Sequence, residues 1–75
     1  MATTTHFSKT IEDDKFEGDD KVKMDLEFGR SSFYAGANRM YFEVDGKVVI
    51  VDTETGVEIY RAMMRLGAYL GHDRL

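Results

Sequence analysis

The sequence predicts an α+β fold: a three- or four-stranded antiparallel sheet with one C-terminal helix packed across it. Three observations carry this. Residues 21–28 alternate strictly, with Val22, Met24, Leu26 and Phe28 on one face and Lys21, Lys23, Asp25 and Glu27 on the other, which is the pattern of a strand with one wet face. Asp45-Gly46 separates two strand-like stretches, 39–44 and 47–52, and marks a tight hairpin whose two central residues need positive φ. Residues 55–70 place apolar side chains at helical spacing and open with Thr55-Gly56-Val57-Glu58, which matches a capping box.

Each element has a local reason. In the hairpin, Met40, Phe42 and Val44 are expected to face the core, with Arg39, Tyr41 and Glu43 outward. Val48, Val49, Ile50 and Val51 are all apolar, and a strand apolar on both sides suggests a central or doubly covered position. The connection 29–37 is too long for a tight turn; Phe33 is expected to plug the sheet edge and Tyr34 to point outward. Gly71 suits the helix C-terminus. Residues 1–20 read either as an acidic N-terminal arm or as an edge strand, because Phe7, Lys9 and Ile11 alternate with His6, Ser8 and Thr10. Residues 21–75 form the sheet-and-helix domain, and at 75 residues the chain holds one domain.

Composition excludes several function classes. There are no cysteines and only two histidines, His6 and His72, near opposite ends, so disulfides and thiolate zinc sites are excluded. Threading 13–24 as a calcium loop puts Lys15 and Met24 at positions that need oxygen ligands. No Ser–His–Asp set, phosphate cradle or pocketed carboxylate pair stands out, so the chain reads as non-enzymatic, with no cofactor and no metal. The N-terminus lacks the basic and apolar segments of a signal peptide. The apolar run 48–51 is too short to span a membrane. A cytoplasmic protein is expected.

Two surfaces then call for partners. On a helical wheel Ile59, Met63, Leu66 and Leu70 form the stripe expected on the sheet, and Val57, Tyr60, Met64 and Gly67 form a second strip beside it. Self-association of that strip as a homodimer is expected; the N-terminal arm, through Phe7, Ile11 and Phe16, is another cover. The charge is equally lopsided. The net charge of −4 resides wholly in residues 1–28, with eight acids against four lysines. Asp13, Asp14, Glu17, Asp19, Asp20, Asp25 and Glu27 make an acidic strip that can imitate a run of phosphates.

In overall character the chain resembles small phage-encoded inhibitors of host machinery, including anti-CRISPR proteins and DNA mimics: short, acidic, cysteine-free, a strand meander with one helix. The resemblance implies stoichiometric binding to a basic host protein or ribonucleoprotein, blocking its nucleic-acid site. The alternative is a small nucleic-acid-binding module using Arg30, Tyr34, Arg39 and Tyr41 as a stacking patch. A pI of about 5.0 opposes direct phosphate binding.

Overall fold

The hairpin forms where its turn residues place it. Strands β3 (Arg39–Val44) and β4 (Lys47–Ile50) are joined by Asp45 at φ 49° and Gly46 at φ 83°, the left-handed pair that matches the strand twist. The computed structural model describes residues 3–14, 21–34 and 37–75. Two further strands, β1 (Thr3–Glu12) and β2 (Lys23–Ser31), complete an antiparallel sheet of order β1-β2-β3-β4. One helix, α1 (Thr53–Tyr69), follows, then a 3-10 turn at His72–Arg74. The structure is thus α+β, a four-stranded antiparallel sheet with a single C-terminal helix.

Register assigns the two faces. Phe7, Phe28, Phe42 and Val49 stand opposite one another across all four strands. The Phe7 and Phe28 rings stack at 5.1 Å between centroids, and Phe28 meets Phe42 at 5.9 Å. Cross-strand aromatic pairs of this kind stabilise a sheet beyond their burial. The neighbouring row on the same face runs Lys9, Leu26, Val44, Lys47. The opposite face carries Ser8 and Thr10 from β1, Asp25, Glu27 and Gly29 from β2, and Tyr41 and Glu43 from β3.

One close approach sets the β1–β2 pairing. A Cβ on Gly29 would lie 2.0 Å from the Thr4 carbonyl oxygen, so no larger residue fits there without backbone movement. The register also shifts between Thr5 and Phe7, leaving His6 as the extra residue of a bulge. Because of it, Thr5 and Ser8, an odd number of residues apart, both reach Glu27.

Several expectations are corrected. The second strand begins at Lys23 and extends to Ser31, so Lys21 and Val22 lie outside it and Val22 is exposed. The helix starts at Thr53, with Asp52 rather than Thr55 as its N-cap. The reason is that the Asp52 carboxylate accepts the Thr55 amide at 3.3 Å while the Asp52 carbonyl accepts the Gly56 amide at 2.9 Å. The apolar β4 is an edge strand and ends at Ile50; Val48 is 59 % exposed. Phe33 does not plug the sheet: it is exposed and meets Tyr34 edge-on at 5.2 Å. Tyr34 is exposed as expected, and Gly71 takes the left-handed conformation after the helix, φ 78°.

The largest departure concerns α1. Gly56 is buried, and a Cβ there would touch the Met40 sulfur at 3.5 Å. Gly67 lies on the same helix face, yet nothing stands within 4 Å of its Cβ direction. The helix therefore leaves the sheet beyond its first two turns. Of the expected stripe only Ile59 is half-buried; Met63, Leu66 and Leu70 are exposed.

Three outcomes test this description. Gly46→Val should lower stability by about 1 kcal/mol or more, since a β-branched residue resists positive φ. Gly29→Ala should cost roughly 1–3 kcal/mol through overpacking against Thr4; both are read by urea unfolding. Hydrogen bonding from Thr55 holds the Asp52 carboxyl below its ordinary 3.8, and the Arg39 charge adds to it. The stabilisation from Asp52 is therefore present above pH 3.8 and is lost as pH falls through its lowered value. The melting-temperature gap between wild type and Asp52→Ala should narrow only on that acid side.

Candidate functional site

The sheet face turned away from α1 is polar, acidic and internally ordered. Its centre is Tyr41, only 4 % exposed. Its side chain lies opposite Gly29, which leaves room for the ring. The Tyr41 hydroxyl donates to Glu27 Oε2 at 2.7 Å and lies 3.0 Å from Thr5 Oγ1. Thr5 and Ser8 donate to the two Glu27 oxygens at 3.5 Å each, and Thr10 donates to Asp25 Oδ1 at 2.5 Å. The Asp25 backbone is held as well, its amide donating to Asp45 Oδ1 at 2.9 Å and its carbonyl accepting the Asp45 amide at 3.1 Å.

Asp25 and Glu27 project from β2 about 7 Å apart, two residues along a strand. Glu43 stands directly opposite Glu27, a like-charge pairing that costs stability. Together with Ser8 and Thr10 these three acids line an open depression of about 240 Å³. Among the described residues no lysine or arginine forms an ion pair with any of the three; the one such pair seen, Lys23 with Glu12 at 3.6 Å, lies on the same face, two residues along the strands from Asp25 and Thr10. Asp25 and Glu27 are thus held by hydrogen bonds without an ion pair among the described residues, while Lys9 lines the same depression.

The Tyr41 phenol responds to this setting. The Thr5 contact is the largest single influence and favours ionisation. Against it act the hydrogen bond from Tyr41 to Glu27, burial, and the charges of Glu27 and Glu43, which together raise the phenol above its ordinary 10.0.

Of the acids singled out by sequence, the structure brings Asp25 and Glu27 together. Asp13 and Asp14 are exposed beyond the end of β1, with the Asp13 amide donating to the Val22 carbonyl at 2.8 Å. Glu17, Asp19 and Asp20 lie outside the described residues, as does Phe16. Glu43, Thr5, Ser8, Thr10 and Tyr41 are site residues that the strip omitted. The alternation of Ser8 and Thr10 in β1 was the available signal, since it sets hydroxyls opposite Glu27 and Asp25.

The Arg/Tyr patch is not assembled. Tyr41 lies on the expected face, opposite that of Met40 and Phe42, but it is buried there, because Gly29 makes room for its ring and Thr5 meets its hydroxyl, so the ring is not free to stack. Arg30 and Arg39 fall on opposite sheet faces; Arg30 donates to Asn38 Oδ1 at 3.2 Å and Arg39 to the Tyr34 carbonyl at 3.0 Å. Val57, Tyr60 and Met64 are exposed on α1, and Gly67 is half-buried at the edge of their strip. Among the described residues no three His, Asp or Glu side chains gather to hold a metal ion, and no helix is long and apolar enough to cross a membrane.

No protein-family model matches the chain, and no curated protein or solved structure shows significant similarity to it.

Tyr41 gives a direct readout of the site. Spectrophotometric titration should find one tyrosine ionising above pH 10.0, and Glu27→Gln should bring it down. Because the folded value is raised, the stability that Tyr41 contributes is present below pH 10.0 and is lost as pH rises beyond it. A Tyr41→Phe variant should lack that alkaline loss.

Proposed function

We propose that the protein is a non-enzymatic binding module whose acidic sheet face docks on a basic surface of a cytoplasmic host protein or ribonucleoprotein, occupying the place of nucleic acid. One observation carries the reading: Asp25, Glu27 and Glu43 share one sheet face, Asp25 and Glu27 are held there by hydroxyl hydrogen bonds, and none of the three forms an ion pair among the described residues. Fixed charges lose little entropy on docking, which favours affinity. The repulsion between Glu27 and Glu43 is relieved when a basic side chain inserts between them. Long-range attraction from the acid-rich N-terminal third speeds encounter. This is the behaviour of the phage inhibitors and DNA mimics that the chain resembles in character.

The nucleic-acid alternative draws less support, since its four residues do not share a surface and the net charge is −4. Heparin or DNA retention of the purified protein would favour it.

The test is affinity capture from the source cell with wild type and with Asp25→Asn/Glu27→Gln/Glu43→Gln. These near-isosteric changes spare the fold that lysine at Glu27 would disturb, because Glu27 accepts the Tyr41 hydroxyl. Wild type should capture a basic protein at low salt and lose it at high salt, as exposed charges are screened within about 8 Å at physiological ionic strength. The triple variant should fail to capture it at any salt. Capture that survives both neutralisation and high salt would eliminate the acidic face as the contact.

A further inference from the structure

We infer that the apolar surface of α1 and the cleft beneath it form the interface of a twofold homodimer, each helix covering the other's open face. This surface lies across the sheet from the acidic face and stands independently of the function proposed for it.

The argument starts with area. The chain exposes 6330 Å², whereas a compact monomer of 8.6 kDa exposes about 4,700 Å². The excess, roughly 1,600 Å², exceeds the ~800 Å² per partner that a stable interface needs. The radius of gyration agrees: 14.8 Å, against about 11 Å for a compact domain of this length. The 47 × 29 × 18 Å extents describe an elongated molecule. Among the described residues Tyr41 is the one hydrophobic side chain that is fully buried from solvent to within a few per cent, so a single copy supplies very little core.

Much of the exposed apolar surface lies on α1. Met63, Met64, Leu66 and Leu70 are each more than half exposed, on the part of α1 that has left the sheet. Between helix and sheet lies a cleft of about 410 Å³, walled by Phe28, Met40, Phe42, Ile59 and Met63. A helix stripe without a sheet and a sheet-side cleft without a filler occur in the same chain. Such a pair is self-complementary, as an isologous contact requires. At Gly67 the absence of a side chain lets a second helix come close.

The described part of the competing cover from within the chain is already committed. Phe7 stacks on Phe28 and Ile11 pairs with Met24 inside the sheet, so β1 cannot also fold over α1. Edge-to-edge sheet pairing leaves the helix stripe just as open. A second copy brings both missing halves at once, and methionines at 63 and 64 adapt to such a contact.

The test is molar mass by light scattering across the micromolar range, with the full chain. Wild type should weigh twice 8.6 kDa. Met63→Glu and Leu66→Glu should each raise the dimer dissociation constant by about thirtyfold or more. Arg61→Glu, on the polar arc of the same helix, should leave it unchanged. Because a glutamate could also unfold the helix, a second measurement uses the absence of native cysteine. Leu66→Cys should be joined to a second copy by a short bis-maleimide linker, and Glu43→Cys, on the far sheet face, should not. A wild-type mass of 8.6 kDa throughout, or a dimer that persists in both glutamate variants, or no crosslinking at Leu66→Cys, would overturn the inference.

Discussion

The sheet depends on how closely β1 can approach β2 at Gly29. With no Cβ there, the Thr4 carbonyl comes in over the glycine, and β1 is drawn against the Tyr41 hydroxyl through Thr5. The same approach seats Phe7 on Phe28 on the reverse side. Tyr41, Glu27 and Thr5 come from three different strands, so one small hydrogen-bonded cluster holds β1, β2 and β3 in a single register. Order among the acidic side chains follows from this cluster. Glu27 is not a freely moving surface carboxylate but a hydrogen-bonded part of the sheet.

The helix obeys a different limit. A single 17-residue helix can cover only part of a four-stranded sheet, and here it touches the sheet chiefly where Gly56 meets Met40 and Val51. The short link after β4 forces that contact: the Val51 amide donates to the Met40 carbonyl at 3.0 Å, and Asp52 at once caps the helix. The direction of α1 is set in that first turn. Its later residues continue the helix out over solvent, whatever their hydropathy.

Much of this was legible from local pattern. Asp45-Gly46 specifies its own turn, and the alternation of Met24, Leu26 and Phe28 fixes one strand face, because both signals act between near neighbours. What escaped depends on distant partners. Tyr41 has the parity of the wet face, and its burial comes from Gly29 and from a β1 that could equally have been a solvated arm. Val48–Val51 reads as a central strand because two-sided hydropathy reports apolar surface without saying whether the fold covers it. Both Asp52 and Thr55 are residues that suit an N-cap, and the Asp52 carboxylate, by accepting the Thr55 amide, starts the helix one turn earlier. For the candidate site, Asp25 and Glu27 were readable from alternation, whereas Glu43 and the hydroxyls joined them only through strand register.

The row Lys9–Leu26–Val44–Lys47 carries a consequence for colloidal behaviour. Both outermost strands place a lysine on the apolar side of the sheet, flanking the two aliphatic residues. A strand added to either edge would crowd an ammonium group against hydrocarbon, which disfavours the pairing. Sheets with open edges and exposed valines are templates for fibril growth, and inward-pointing edge charges are one of the ways natural sheets prevent it. Lysines at both edges thus work against polymerisation through the strands of a molecule that carries an exposed apolar helix and a short, valine-rich edge strand. Association is steered toward closed assemblies rather than open-ended ones.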